Sequence, residues 1–286
     1  MVDLFMDILK ELEIDFVVAP YEADAQMAYM VKAELADFAI SEDSDLVAYG
    51  CPRILMKLDF FGKAQEWNYD DFKSMELDVE KDKTLKPLKQ LQELSRDDFG
   101  FACCMAGCEY LNNIERIGLK VALKHFSKHK TFEGVMKFLR TNKATKHKIP
   151  DGYEEKAKQV VELFNYQTVY DPTMEALTQL SSIYDTSELN MTYLGPHETL
   201  EENLPEFTRG ELYRSTGEKR KNYMGQGVID MSRVRMHFAR NEISDRSFVC
   251  LDLTFFQDEQ KQSYNPHSTE ESKTMTRKGA ALEETK

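Results

Sequence analysis

Two pairs of carboxylates, each placed just after a short apolar run, constrain this chain more than any other feature. Glu22 and Asp24 follow Phe16-Val17-Val18-Ala19, and Asp43 and Asp45 follow Phe38-Ala39-Ile40. Short apolar runs of this kind read as buried strands. Between them, residues 25–33 carry helical apolar spacing, with Met27, Met30 and Val31 on one side. Strand, helix, strand predicts a βαβ unit with strands at 16–19 and 37–41. Its parallel strands would open both acidic loops at one sheet edge, where ligands of open α/β sheets collect. Four carboxylates converging there repel one another and are hard to keep ionised without a cation. An oxygen-only ligand set suits Mg²⁺ or Mn²⁺, which polarise phosphate and activate water. A plainer reading stays open beside it: acids favour helix N-termini, so both pairs could be solvated helix starts.

The remaining chain frames that unit. Residues 2–13 read as a helix with Leu4, Phe5, Ile8, Leu9 and Leu12 on one stripe. Residues 53–59 read as a third strand, 60–63 as a turn, and Glu66-Trp67 as part of a further short strand. Residues 69–86 are charged and poorly periodic, a connecting surface segment, and helical spacing returns from 88 to 110. A helix followed by an extended segment is expected over 153–185. Beyond 186 the periodicity fades. Polar runs at 214–222 and 267–286 look disordered, and the apolar island 248–256 is either a docking motif or a local contact.

The formal net charge of -13, taken alone, argues against nucleic acid. Its distribution argues the other way: residues 119–150 hold nine Lys or Arg against one acid, Glu133. Lys120, Lys124 and Lys128 recur at i+4, which aligns three ammonium groups as a phosphate backbone requires, although a charge run is usually a solvated face. Five cysteines without a disulfide-like pattern point to a reducing compartment. Cys104, Cys108, His125 and His129 have a near zinc-finger spacing, but the sixteen intervening residues exceed the usual dozen. Residues 1–15 are acidic and amphipathic, unlike a targeting peptide. No run approaches membrane-spanning length.

The stretches APYEADAQMAYM, ISEDSDLVAYGC, ILMKLDFFG and MAGCEYLNNIERIGLKVALKHF resemble the internal region of the flap-endonuclease superfamily (XPG/RAD2-type 5′ nucleases). Gly50-Cys51 and Lys57-Leu58-Asp59 are most similar to its exonuclease 1 branch. The resemblance covers roughly residues 1–185, and the tandem acidic motifs followed by GCEYL are specific to it. It implies an α/β fold: part of a PIN-like, mostly parallel sheet with flanking helices, then a helical helix–two-turn–helix subdomain and an irregular tail. The divisions expected are 1–87 for the nuclease-core part, 88–185 for the DNA-binding subdomain and 186–286 for the tail.

The activity implied is structure-specific 5′ hydrolysis of DNA in the nucleus, with two Mg²⁺ ions for which Mn²⁺ can substitute. The substrate would be duplex DNA with a 5′ end, nick or flap. Glu22, Asp24, Asp43 and Asp45 would be catalytic metal ligands, with Glu109 a distal one where the family has aspartate. Gly118, Lys120, Lys124 and Lys128 would hold the duplex. Ala106, Asn113 and Ile117 would form a K⁺ site in the helical hairpin. Arg116 stands where the family has the first glycine of its hairpin, a substitution costing on the order of 1 kcal/mol if that position needs φ > 0. In the family, the portion preceding residue 1 of this chain supplies the first strands, an arch and two further aspartates. Impaired cleavage and a missing N-terminal segment, or a complementing chain, are therefore expected. A non-catalytic DNA-binding remnant and a PIN-type RNase are the competing readings.

Overall fold

The computed structural model describes residues 2–142, 149–182, 190–195, 203–213, 217–220 and 249–251, all within the unit spanning residues 1–253. Along the chain run α1 (Val2–Glu11), β1 (Phe16–Val18), α2 (Ala23–Lys32), β2 (Ala39–Ile40), α3 (Asp45–Ala48), β3 (Arg53–Met56) and β4 (Gln65–Asn68). Next come α4 (Tyr69–Ser74), α5 (Lys86–Gln92), α6 (Arg96–Ala106), α7 (Leu119–His129), α8 (Phe132–Thr141) and α9 (Tyr153–Tyr166). The chain continues with β5 (Thr168–Asp171), β6 (Ala176–Gln179), α10 (Met191–Leu194), α11 (Leu204–Thr208) and β7 (Val249–Leu251).

The α/β class is as the sequence implies, but the described strands are divided among three small sheets. β1 pairs in parallel with β7, β2 with β3 in parallel and β3 with β4 antiparallel, and β5 pairs antiparallel with β6. β1 and β2, expected to flank one βαβ unit, are not hydrogen-bonded neighbours in any of them. Residues 69–86, expected as a plain connector, contain α4, capped by the Asn68 side chain accepting from the Asp70 and Asp71 amides. Phe72 of α4 is buried and its ring lies 4.9 Å from that of Trp67.

One large core joins α2, α3 and β3 to α6, α7, α8 and α9, through residues such as Leu46, Ile54, Met105, Phe126, Val135 and Phe164. It runs without a break across the boundary expected at 87/88. A second, smaller core gathers Met6, Leu9, Val17, Val18, Tyr170, Leu204 and Phe207. α1 therefore buries Met6 and Leu9, while Phe5 and Leu12 of the expected stripe stay exposed. The rotation has a visible cause: a Cβ at Gly210 would meet the Met6 sulfur at 2.6 Å and the rings and methyls of Phe16 and Val18 just beyond, so the helix is seated through Met6 on that glycine.

Part of the segment expected as an irregular tail is tied to this second core. Arg220 Nη1 reaches Asp3 Oδ1 at 2.6 Å and the Tyr213 hydroxyl donates to Asp3 Oδ2 at 2.6 Å. Thr168 Oγ1 donates to the Gly195 carbonyl at 2.6 Å. The polar run 267–286 and Lys143, Lys146 and Lys148 lie outside the described residues.

Candidate nucleic-acid cleavage site

The first acidic loop hangs between β1 and α2. Glu22 takes the N-cap position with extended backbone (φ -79, ψ 136), and Asp24 falls in the first turn. The second loop is built by its own side chains. Asp43 Oδ1 accepts the Asp45 amide at 2.8 Å, Ser41 Oγ accepts the Asp43 amide at 3.0 Å, and Glu42 Oε1 accepts the Lys57 amide at 2.5 Å. Asp45 opens α3, half-buried, while Asp43 is exposed. Because β2 and β3 are parallel, the Asp43/Asp45 loop and Lys57 leave the sheet at the same edge.

A buried tyrosine pair lies within the field of the first loop. The hydroxyls of Tyr49, at the end of α3, and Tyr110 are 2.7 Å apart. Burial pushes the Tyr49 hydroxyl well up, followed by its Tyr110 partner and then by the charges of Glu22 and Asp24. Tyr110 is raised by burial and then by Glu22, with smaller contributions from Glu109 and Asp24. Asp45 is raised above the ordinary carboxylate range, first by burial and then by the charges of Asp43 and Glu109. Glu22 and Asp24 thus act on the tyrosine pair and Asp43 on Asp45, with Glu109 acting on both Tyr110 and Asp45. These carboxylates do not close into a cage: among the described residues, no three His, Cys, Asp or Glu side chains are grouped tightly enough to hold a metal ion. The donor chemistry, carboxylate oxygen throughout, fits an open divalent-cation site.

The sign of the Asp45 shift gives a first prediction. An acid whose folded pKa is raised stabilises the fold below its unfolded pKa and loses that contribution as pH rises through the folded value. At neutral pH Asp45 therefore works against the metal-free fold. Asp45→Asn should raise the melting temperature of the metal-free protein by about 1–3 °C at pH 7 and lose that advantage toward pH 4. A thermal series across pH checks it, and an unchanged or lower melting temperature at pH 7 would show that the repulsion is not felt.

Glu109 reaches this neighbourhood from a tight turn, closed by the Cys108–Leu111 bridge after α6. The helical hairpin follows, with the Ile114 amide donating to Met105 O at 3.1 Å and the Ile117 amide to Ile114 O at 2.9 Å. Arg116 has φ 65, the conformation its glycine-bearing counterpart would favour, so the strain expected from the sequence is present. Gly118 caps α7 with φ -101 and needs no glycine for its own conformation. Of the expected cation-site residues, Ala106 ends α6 and Ile117 is buried across the turn. Asn113 packs its Cβ against Gly107, and its Nδ2 donates to Ile114 O at 3.2 Å. α7 buries Ala122, Leu123 and Phe126 and leaves Lys120, Lys124 and Lys128 exposed in one row.

Among the described residues, Cys104, Cys108, His125 and His129 form no group that could hold a metal ion. Cys104 donates to Ala157 O, and the His125 and His129 rings lie against Phe138, at 5.5 and 4.4 Å.

Three contributors escaped the sequence reading. Gln26, the last residue of EADAQ, is fully buried and grips the Tyr170 backbone: its Nε2 donates to Tyr170 O at 2.7 Å and its Oε1 accepts the Tyr170 amide at 2.8 Å. Lys32 donates to Tyr49 O at 3.1 Å, and burial, followed by the nearby Arg96 charge, brings its pKa down to about 7. Arg96 holds Asn165 Oδ1 at 2.6 Å and the Ala48 and Phe164 carbonyls at 3.3 and 3.0 Å, bracing α3 against α9. A buried glutamine or a lysine in a helix carries no local signal of such a role, because each partner lies far away in sequence.

The XPG I-region family model matches residues 13–109. Exonuclease 1 of Oryza sativa subsp. japonica is 35% identical over 196 residues, covering 67% of this chain and 21% of the relative. Exonuclease 1 of Arabidopsis thaliana is 35% identical over 191 residues, covering 67% and 24%. Exodeoxyribonuclease 1 of Saccharomyces cerevisiae is 32% identical over 171 residues, covering 59% and 22%. The chain thus spans roughly a fifth to a quarter of the length of these relatives. Among solved structures, the catalytic core of Rad2 in complex with DNA substrate is similar at 20% identity and a TM-score of 0.46, covering 69% of this chain and 66% of that one.

Proposed function

This chain belongs to the XPG/RAD2-type 5′-nuclease family, on its exonuclease 1 branch, and from that premise we propose that it serves structure-specific 5′ hydrolysis of DNA phosphodiesters in repair. The observation that supports the proposal is that Glu109 acts on both acidic groups: with Glu22 and Asp24 on Tyr110, and with Asp43 on Asp45. Nothing in a packed core requires Asp45 to be half-buried beside the charges of Asp43 and Glu109, and that repulsion is a standing cost to the fold.

Glu22 and Asp24 would hold one divalent ion, Asp43 and Asp45 a second, with Glu109 at longer reach. Mg²⁺ or Mn²⁺, when bound, supplies neutralisation of phosphate charge and lowers the pKa of water. The chain's own groups set the stage. Asp43 fixes the entry to α3 through the Asp45 amide, and the Tyr49–Tyr110 hydroxyl pair lies within the field of Glu22 and Asp24. The row Lys120, Lys124 and Lys128 would hold the phosphate backbone without reading bases, while K⁺ would sit at the hairpin near Ala106, Asn113 and Ile117. Nuclear placement belongs to the same reading and accords with the free cysteines Cys51, Cys103, Cys104 and Cys108. The test is incubation of a 5′-labelled nicked or flapped duplex with Mg²⁺: short 5′ products that EDTA suppresses support the proposal, and metal-independent products or none count against it.

A non-catalytic DNA-binding role is the second reading. It is favoured by the open ligand arrangement and by Arg116 at φ 65 in the hairpin. Both readings require the basic row. Changing Lys120, Lys124 and Lys128 together to Gln should weaken duplex binding and reduce the salt slope by up to about three counterions. Binding isotherms that superimpose on wild type at every salt concentration would make the row an ordinary solvated face.

A further inference from the structure

β1 carries the first acidic loop, yet among the described residues the only strand hydrogen-bonded to it is β7, more than two hundred residues away. The register is parallel and covers the whole of β1: Phe16 opposite Val249, Val17 opposite Cys250, Val18 opposite Leu251. β7 also lies beside α2, the helix that follows the loop. Val17 and Val18 are buried, covered by α1 and α11 through Met6, Leu204 and Phe207. Backbone amides and carbonyls at such positions cannot turn to water, so without a partner strand they would be left unpaired at substantial cost. The sequence around β7 suits a strand donor: FVCLDLTFF (248–256) is an apolar, β-prone island between the polar stretches NEISDRS and QDEQKQ.

We infer that the segment bearing Val249–Leu251 is a strand donor built into this chain, and that its docking on β1 holds the Glu22/Asp24 loop in position. Val18 is followed only by Ala19, Pro20 and Tyr21 before Glu22, so the loop inherits whatever order β1 has. Strand addition of this kind takes its affinity from main-chain hydrogen bonds along an open edge. The inference rests on the proposed function only for the importance of the loop; the docking itself stands apart from it.

Hydrogen exchange in the full chain, without metal, tests the docking. Cys250→Pro removes one backbone donor and does not tolerate a paired position in a strand. It should speed amide exchange at Val17 and Val18 by roughly tenfold or more, with the loop amides at 21–24 following. Exchange across α7 and α8 should be unchanged, which shows that the large core is folded. Cys250→Val should restore wild-type protection. Unchanged protection at Val17 and Val18 in Cys250→Pro, with the substitution verified, would overturn the inference. So would loss of protection at β1 without any change at 21–24, since the loop would then not depend on the donor.

Discussion

Asp43→Asn should lower Mg²⁺-dependent cleavage of a 5′-ended duplex by about 10²–10⁴-fold, because a metal-held phosphoryl transfer draws several kcal/mol from its ligands and each 1.36 kcal/mol is a factor of ten. Asparagine is chosen over alanine for a structural reason. Asp43 Oδ1 accepts the Asp45 amide at 2.8 Å, and the amide oxygen of asparagine can keep that bond, so the turn into α3 is kept while one charge is lost. The variant should therefore melt within a degree or two of wild type. A rate that falls together with the melting temperature would point to a damaged loop. A rate that does not fall would remove Asp43 from the chemistry.

The second large effect is on stability and arises away from the acids. Gln26→Leu should destabilise the protein by about 2–5 kcal/mol, with a melting-temperature loss on the order of 10 °C. Leucine nearly matches glutamine in volume, so packing is kept, but the Tyr170 amide and carbonyl lose the 2.8 and 2.7 Å bonds that satisfy them. Both ends of the interaction are buried, and water cannot substitute. Thermal unfolding of the variant checks it; a loss below about 2 °C would mean that the Tyr170 backbone finds another partner.

These two residues mark where the sequence was readable and where it was not. Asp43 and Asp45 could be placed just after a strand because a strand-sized apolar run and the two-residue spacing are local facts, but the parallel neighbour of β2 is β3 and not the expected β1. The strain at Arg116 was readable for the same reason, since a glycine position in a known hairpin specifies a backbone conformation. Gln26 could not be read. Its partner is 144 residues away, and nothing in EADAQ separates a buried amide from a helix-surface one. The Tyr49–Tyr110 bond and the Asp3–Arg220 pair are of the same kind. α1 misled because its most regular apolar stripe is not the one that fits over Gly210. The sheet misled because strand partnership is a long-range property: β1 and β2 have matching acidic exits, but β1 is paired with β7.

The central claim is that the two acidic loops together form a divalent-cation site. Electron paramagnetic resonance of Mn²⁺ titrated into the 286-residue protein reads this without requiring turnover. Wild type should show saturable binding that Mg²⁺ displaces, with affinity at least about tenfold weaker in both Asp24→Asn and Asp45→Asn, one from each loop. Free-ion signal throughout the titration, or equal affinity in wild type and both variants, would contradict it.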